Sequence, residues 1–285
     1  MELETLGPEK VLLLEKRKEV LEDVLQLPVL GICSNQPELL KTFSNSEHPH
    51  PKIVCHRGAK TFAPENTLSA IDLAIGLGFN IVEIDVRQTK DGVPVVLHDP
   101  LVDRTTNGQG EIKKMNYADV CKLDAGSWFD PFFTGERVPR LKDVLARAKE
   151  GQLEVFVDIK EVEPKILLEL VQEFDMLRDS FFWSRNIKIM DELRLLNKNV
   201  RLMARRYDFP NLKDTIERHN PQVIEFKGLK FTNKELKRCK ELGILSMPYY
   251  AGSRLNIFNK LINSGADMLN LTNPKLIKKK NLHYH

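Results

Sequence analysis

Val155-Phe156-Val157-Asp158-Ile159-Lys160, read beside Ile81-Val82-Glu83-Ile84-Asp85, decides the fold class of this chain. A strand sends successive side chains to opposite faces, so Glu83 and Asp85 share one face while Val82, Ile84 and Val86 share the other. Asp158 and Lys160 repeat the device, with Val157 and Ile159 opposite. Strands of this kind put an acidic patch inside a barrel and leave an apolar outer surface for its helices. Outward from these two, apolar runs near 53–57, 81–85, 153–160, 181–184, 200–205, 222–227, 244–249 and 267–271 read as strands. Stretches near 65–78, 141–150, 163–175, 187–197, 211–219, 233–242 and 254–264 read as the helices between them. Repeated alternation of this length predicts an α/β fold with a parallel sheet, and about eight such units predict a (β/α)8 barrel of the TIM type.

With 285 residues, 42% hydrophobic and 29% charged, the chain can bury the core of one barrel-sized domain, and disorder is not its default reading. The 43 basic and 40 acidic side chains leave a formal net charge of +3, too balanced to imply nucleic-acid binding. The four cysteines, Cys33, Cys55, Cys121 and Cys239, form no C-x-x-C pair, so neither a zinc site nor a disulfide framework is indicated. Scattered reduced thiols suit the cytoplasm. The opening Met1-Glu2-Leu3-Glu4 lacks the basic start and apolar run of a secretory signal. No uncharged stretch reaches the roughly 18 residues of a membrane-spanning helix. The expectation is a soluble cytoplasmic protein without a transmembrane segment, with peripheral membrane contact left open.

The chain divides into an N-terminal extension, residues 1–50, and a barrel domain, residues 51–285. In the extension, Val11, Leu12, Leu14, Val20, Leu21, Val24 and Leu25 recur among charged residues at the spacing of an amphipathic helix over 8–26. Packing on the barrel or on a partner chain is the simpler reading of that helix, a membrane-surface anchor the sharper one. Thr42 to Pro51 reads as a linker.

Two departures from regular alternation matter. Val86 to His98 is two extended runs around Asp91-Gly92, a hairpin that would return His98 to the level of the Glu83 and Asp85 carboxylates. Residues 103–140 form a long excursion containing Trp128-Phe129-Asp130-Pro131-Phe132-Phe133, whose aromatics either cover a substrate or pack a small core of their own.

Cys55-His56-Arg57-Gly58-Ala59, Pro64-Glu65-Asn66-Thr67, Glu83-Ile84-Asp85 and Leu97-His98-Asp99 collect what is needed to open a phosphodiester beside a metal ion. Histidines can carry protons, carboxylates can hold a cation, and a guanidinium can meet phosphate charge. In order and spacing these segments resemble the glycerophosphodiester phosphodiesterase family, with its H-R-G, P-E-N-T, E-x-D and later H-D, over residues 50–275. The resemblance implies a barrel with a small insertion domain after the second barrel strand, here 103–140. It also implies His56 and His98 as general acid and base, in an order left open, and a metal held by Glu83, Asp85 and a third acid. Asp158 stands in that third place, where relatives commonly carry Glu. Glu65 resembles a family site acid that orients Arg57 or the metal; a simple helix-start role competes with it.

An all-carboxylate site favours one hard divalent cation, Mg²⁺ or Ca²⁺ with Mn²⁺ as a third choice, over zinc. Arg57 and Lys160 are the expected phosphate ligands. Three carboxylates, a divalent cation and these two bases leave one surplus positive charge, which a phosphodiester would cancel. Tyr249 occupies the place where relatives often carry tryptophan and is the third expected substrate-binding residue. Thr272 falls where Asp is usual, so the alcohol side of the site departs from the family more than the chemistry does. Glu225 and Lys227 read as a structural ion pair near the mouth.

The function expected is metal-dependent hydrolysis of a small-molecule glycerophosphodiester to glycerol 3-phosphate and an alcohol. Competing readings are a phospholipase D-like enzyme making cyclic phosphate from lysophospholipid or sphingolipid, a sugar-phosphodiester hydrolase, and a non-catalytic phosphate-ester binding module. Oligomeric state is not specified by the sequence.

Overall fold

The computed structural model describes residues 51–273. The helix expected over 8–26 and nearly all of the linker lie outside the described residues. Eight strands, β1 (Lys52–Cys55), β2 (Ile81–Gln88), β4 (Glu154–Glu161), β5 (Ser180–Trp183), β6 (Met203–Arg205), β7 (Val223–Lys227), β8 (Leu245–Tyr250) and β9 (Met268–Leu271), run in the order β5-β4-β2-β1-β9-β8-β7-β6. Neighbours on this path are parallel. A parallel bridge between Phe182 and Leu202, with the Phe182 amide donating to the Arg201 carbonyl at 2.9 Å, brings the two ends of the sheet together. The result is the expected barrel. β3 (Pro94–Val96) lies off this path, antiparallel to β2, and the Leu97 amide donates to the Asp85 carbonyl at 2.9 Å. The hairpin therefore delivers His98 beside the acidic strand.

The helices are α1 (Leu68–Gly76), α2 (Tyr117–Val120), α3 (Leu141–Glu150), α4 (Pro164–Glu173), α5 (Ile187–Leu196), α6 (Leu212–His219), α7 (Asn233–Glu241) and α8 (Leu255–Ile262). α3 shows why such segments are helical here. Leu141, Val144, Leu145 and Ala148 form one buried stripe, and Asp143 reaches back to the Arg140 amide at the helix start. Burying a side chain of the Leu or Val class contributes about 1.5–3 kcal/mol. The stripes of the helices and the outward faces of the strands, Val82, Ile84, Val155 and Val157 among them, make the main core. Inside the barrel, Phe156 and Phe181 stack with ring centroids 4.8 Å apart and floor the polar mouth.

One expected boundary moves. The helix near 65–78 begins at Leu68, because Asn66 adopts a left-handed backbone (φ 59°) and the Thr67 hydroxyl caps the helix by accepting from the Ala70 amide at 3.3 Å. Pro64 and Glu65 precede the helix, so the helix-start role for Glu65 is corrected.

The 103–140 insertion carries its own small core. Val102, Ile112, Val120, Ala125 and Val138 pack with Val95 and Leu97 of the hairpin, so the insertion braces the segment that ends in His98. Phe133, with Phe129 and Phe132 against it, packs on Ala63 and Ala70 beside α1. The aromatic cluster thus serves packing, and none of its rings lines the mouth.

Asp124 pins the loop after α2. Its carboxylate accepts backbone amides from Gly126 at 2.9 Å, Ser127 at 2.7 Å and Gly135 at 2.6 Å. Burial alone would raise this carboxyl, but the amides outweigh it and hold the pKa at about 2. A depressed folded-state pKa gives stability that is present above the ordinary carboxyl range near 4 and lost as pH falls towards 2. Asp124→Ala is therefore expected to cost about 1–3 kcal/mol at neutral pH. Urea unfolding of both proteins at pH 7 and near pH 3 should show the difference shrinking at the lower pH; a pH-independent difference would contradict the ionised pin.

Candidate active site

Eight of the nine residues expected from sequence, namely His56, Arg57, Glu83, Asp85, His98, Asp158, Lys160 and Tyr249, line one cavity of about 620 Å³ at the C-terminal ends of the strands. This is the end at which barrel loops converge. Glu83 and Asp85 point inward from β2 and Asp158 from the neighbouring β4, in register opposite Asp85. One oxygen from each carboxylate lies within 4.8 Å of the others, and all three residues are buried. Burial, followed by the carboxylates of Asp85 and Asp158, pushes Glu83 well above its ordinary range. Asp158 Oδ1 is buried without a hydrogen-bond partner. Three crowded oxygen donors with an unspent acceptor fit a divalent cation, which would relieve their mutual repulsion.

Lys160 bridges the cluster, its Nζ 3.0 Å from Asp85 Oδ1 and 2.7 Å from Asp158 Oδ2. Arg57 comes from the turn after β1. Its backbone is left-handed (φ 57°), its amide donates to Glu83 Oε2 at 2.6 Å, and its Nε lies 3.2 Å from Asp85 Oδ2. The next residue must be glycine: Gly58 has φ 72°, and a Cβ there would sit 2.8 Å from the Ala70 Cβ. Asn66 completes the turn by donating to Asp85 Oδ2 at 2.8 Å while its Oδ1 accepts from the Asp85 amide at 3.2 Å.

Glu65 lies behind the cavity wall. It accepts from Arg57 Nη1 at 2.8 Å and from Arg104 Nη2 at 2.7 Å, and these two guanidiniums hold its carboxyl below the usual range against the effect of burial. Arg104 also donates from Nε to Asp99 Oδ2 at 2.5 Å, and Asp99 Oδ1 lies 2.5 Å from His98 Nδ1. Bonded first by Arg104 and then by His98, Asp99 has its pKa lowered to about 2. A continuous chain of contacts thus joins His98 to Asp85 through Asp99, Arg104, Glu65 and Arg57. Arg87 holds the same histidine from the backbone, its Nε donating to the His98 carbonyl at 2.9 Å.

His56 faces the cluster from the other side, its Nε2 3.8 Å from Glu83 Oε2. Burial, then the charges of Lys60, Arg57 and Lys160, hold its pKa well below the ordinary value. Its Nδ1 is 3.4 Å from the Thr272 hydroxyl, which in turn lies 3.1 Å from Tyr249 Oη. The Tyr249 ring meets the imidazole edge-on with centroids 5.7 Å apart. Thr272 is thus tied into the site as a neutral partner of His56.

The reading of Glu225 and Lys227 as an ion pair is corrected. Glu225 is buried in the cavity wall, bonded by Tyr207 Oη at 2.6 Å and paired with Arg205 Nε at 3.3 Å, whereas Lys227 is exposed at the strand end. Sequence reasoning also missed Asn66, Asp99, Arg104 and Arg205 as site residues, and read Thr272 only as a departure on the alcohol side, whereas it contacts His56. Asp99 and Asn66 stand inside motifs already singled out, so motif membership was a usable signal; Arg104 and Arg205 carried none.

Among the described residues, no helix is long and apolar enough to cross a membrane. Residues 56–205 match the Glycerophosphoryl diester phosphodiesterase family. The crystal structure of a glycerophosphodiester phosphodiesterase from Agrobacterium tumefaciens is 34% identical with a TM-score of 0.76, covering 80% of this chain and 99% of that one. An Oleispira antarctica phosphodiesterase, solved in complex with the product sn-glycerol-3-phosphate, is 25% identical with a TM-score of 0.72, covering 81% of this chain and 96% of that one. YhdW of Bacillus subtilis is 42% identical over 134 residues, 47% of this chain, and the match spans 54% of that relative. The chain belongs to the glycerophosphoryl diester phosphodiesterase family.

Proposed function

We propose that this chain is a glycerophosphodiester phosphodiesterase that hydrolyses its substrate to glycerol 3-phosphate and an alcohol with the help of one divalent cation. The observation that carries this reading is the convergence of Glu83, Asp85 and Asp158, within 4.8 Å of one another, between two histidines, an arginine and a lysine in a single cavity. Mg²⁺ or Ca²⁺, with Mn²⁺ as the third hard cation of the kind, would be held by these three carboxylates and would supply charge neutralisation to the phosphate. Arg57 offers its fork to the phosphate oxygens. Lys160, whose ammonium lies 3.0 Å from Asp85 Oδ1 and 2.7 Å from Asp158 Oδ2, would add a compact positive charge for the same phosphate. One imidazole takes the proton of the attacking hydroxyl, from the substrate's own glycerol or from water, and the other gives a proton to the departing alkoxide. Asp99 fixes the Nδ1 side of His98, and Thr272 that of His56, leaving each Nε2 for the reacting atoms.

Glu65 and Arg104 act by positioning. Arg104→Ala would release Asp99 and Glu65 together and is expected to lower kcat about tenfold or more, the usual scale for removing a partner of a site ligand. KM should change little, because Arg57 and the carboxylates remain, and Arg104→Lys should restore part of the loss. A rise in KM with kcat unchanged would make Arg104 a substrate ligand instead.

The catalytic domain in this proposal is residues 51–285, with 103–140 as its inserted brace and residues 1–50 as an extension. Cys55, Cys121 and Cys239 are all free, which suits a cytoplasmic setting. The test is turnover of sn-glycero-3-phosphodiesters by protein stripped of metal and then supplied with Mg²⁺, Ca²⁺ or Mn²⁺ singly. Activity lost on stripping and restored by one of the three supports the reading; undiminished activity in the stripped protein overturns it.

A further inference from the structure

The wall of the cavity opposite His98 carries Trp183 of β5, Arg205 of β6 and Glu225 of β7, and none of the residues given a catalytic role above lies on it. Glu225, buried at its base, is satisfied within the protein by the Tyr207 hydroxyl at 2.6 Å, by Asn270 Nδ2 at 3.4 Å and by the Arg205 ion pair at 3.3 Å. The Arg205 guanidinium carbon lies 3.3 Å from the Trp183 ring centroid and 5.8 Å from that of Tyr207. Two aromatic faces above a carboxylate are the elements of a cage for a quaternary ammonium. Here the protein's own cation fills that cage. Guanidinium N–H groups at the cavity surface offer donors to anions, while the ring faces and the carboxylate that would attract a cationic headgroup are already engaged.

A second cavity of about 450 Å³ borders the same wall and shares Tyr207 with the first. Lys227 and Lys230 line it, both exposed and, among the described residues, without an ion-pair partner. Arg185 adds a further exposed cation on the rim of the catalytic cavity. The glycerol half of the substrate is small and constant, so the part of the cavity lined by Trp183, Arg185, Arg205 and Tyr207 suits the variable half.

We propose that the β5–β7 wall is the leaving-alcohol subsite and that it selects glycerophosphodiesters whose leaving alcohol carries negative charge of its own, such as a phosphorylated polyol, over those releasing choline. The proposal rests on the hydrolytic reading above and names its substrate class. Arg205 acts as the specificity residue, occupying the place a cationic alcohol would need.

The experiment compares kcat/KM for three diesters under the cation that supports turnover: glycerophosphocholine, glycerophosphoinositol and glycerophosphoinositol 4-phosphate. The phosphorylated ester is expected to exceed the choline ester by about tenfold or more, with the neutral polyol between them, on the scale of one or two charge-assisted contacts. Raising the salt concentration should narrow that ratio in the unaltered protein, since exposed Arg185, Lys227 and Lys230 are screened. Arg205→Met should lower turnover of the phosphorylated ester and raise that of the choline ester, because the cage is vacated. Equal kcat/KM for all three esters, or a choline preference in the unaltered protein, overturns the proposal, as does a uniform loss across the series in Arg205→Met. Absence of hydrolysis of every ester with any of the cations would instead overturn the hydrolytic reading.

Discussion

Replacing either His56 or His98 by Ala is expected to lower turnover about 100-fold or more, the usual scale for a general acid or base. The two variants should fail for different structural reasons. His98 is held by Asp99 at its Nδ1 and by Arg87 of β2 at its carbonyl. Its loss removes a side chain at the end of the hairpin and leaves the carboxylate cluster intact. His56 is packed against Tyr249 and sits 3.8 Å from Glu83. Its loss deprives the cluster of a neighbour but leaves the Arg57 amide on Glu83 in place. In both variants substrate binding should suffer less than turnover, because Arg57 and Lys160, the proposed phosphate ligands, remain. Steady-state kinetics on one diester checks this; weakened binding with unchanged turnover would make the histidines binding groups.

Glu83→Ala and Asp85→Ala are each expected to reduce metal-dependent turnover to below about one hundredth, since the cation's charge stabilisation is worth several kcal/mol. The fold should survive either change. Glu83 is crowded by two other buried carboxylates, so removing one relieves repulsion, and the aliphatic outer face of β2 is untouched. Asp85→Ala carries the larger structural cost, because Asn66, Arg57 and Lys160 all lose a partner there. Asp158→Glu should be tolerated, as the longer side chain still reaches the cluster from β4. Cation titration by calorimetry should show one saturable site in the unaltered protein and none in the two alanine variants, alongside unchanged far-ultraviolet circular dichroism.

The barrel was legible because its strands carry a period of two with charge on one side only. Glu83, Asp85, Asp158 and Lys160 could be placed inside from that alternation without any knowledge of what surrounds them. His98 was legible for a related reason: the Asp91-Gly92 turn fixes where the second hairpin strand returns. Residues whose role depends on contacts between distant segments were not. Arg104 opens the insertion, and its value comes from meeting Asp99 and Glu65, five and thirty-nine positions away. Arg205 ends a three-residue strand, too short to show a pattern. Lys227 follows Glu225 at a strand spacing of two, which suggested a shared face, but β7 ends there and the lysine turns to solvent. The start of α1 was misplaced because nothing in Pro64-Glu65-Asn66-Thr67 signals that Asn66 must turn left-handed to reach Asp85.

Hydrolysis of a glycerophosphodiester at this site leaves a signature in the phosphorus NMR spectrum of the digest. If Arg57, Lys160 and the carboxylate cluster fix the phosphate between two histidines as proposed, the spectrum of a digest run with the supporting cation should show glycerol 3-phosphate as the accumulating end product, with any cyclic glycerophosphate only transient. A stable cyclic phosphate accumulating from lysophospholipid, while soluble glycerophosphodiesters stay intact, would instead make the protein a phospholipase D-like enzyme.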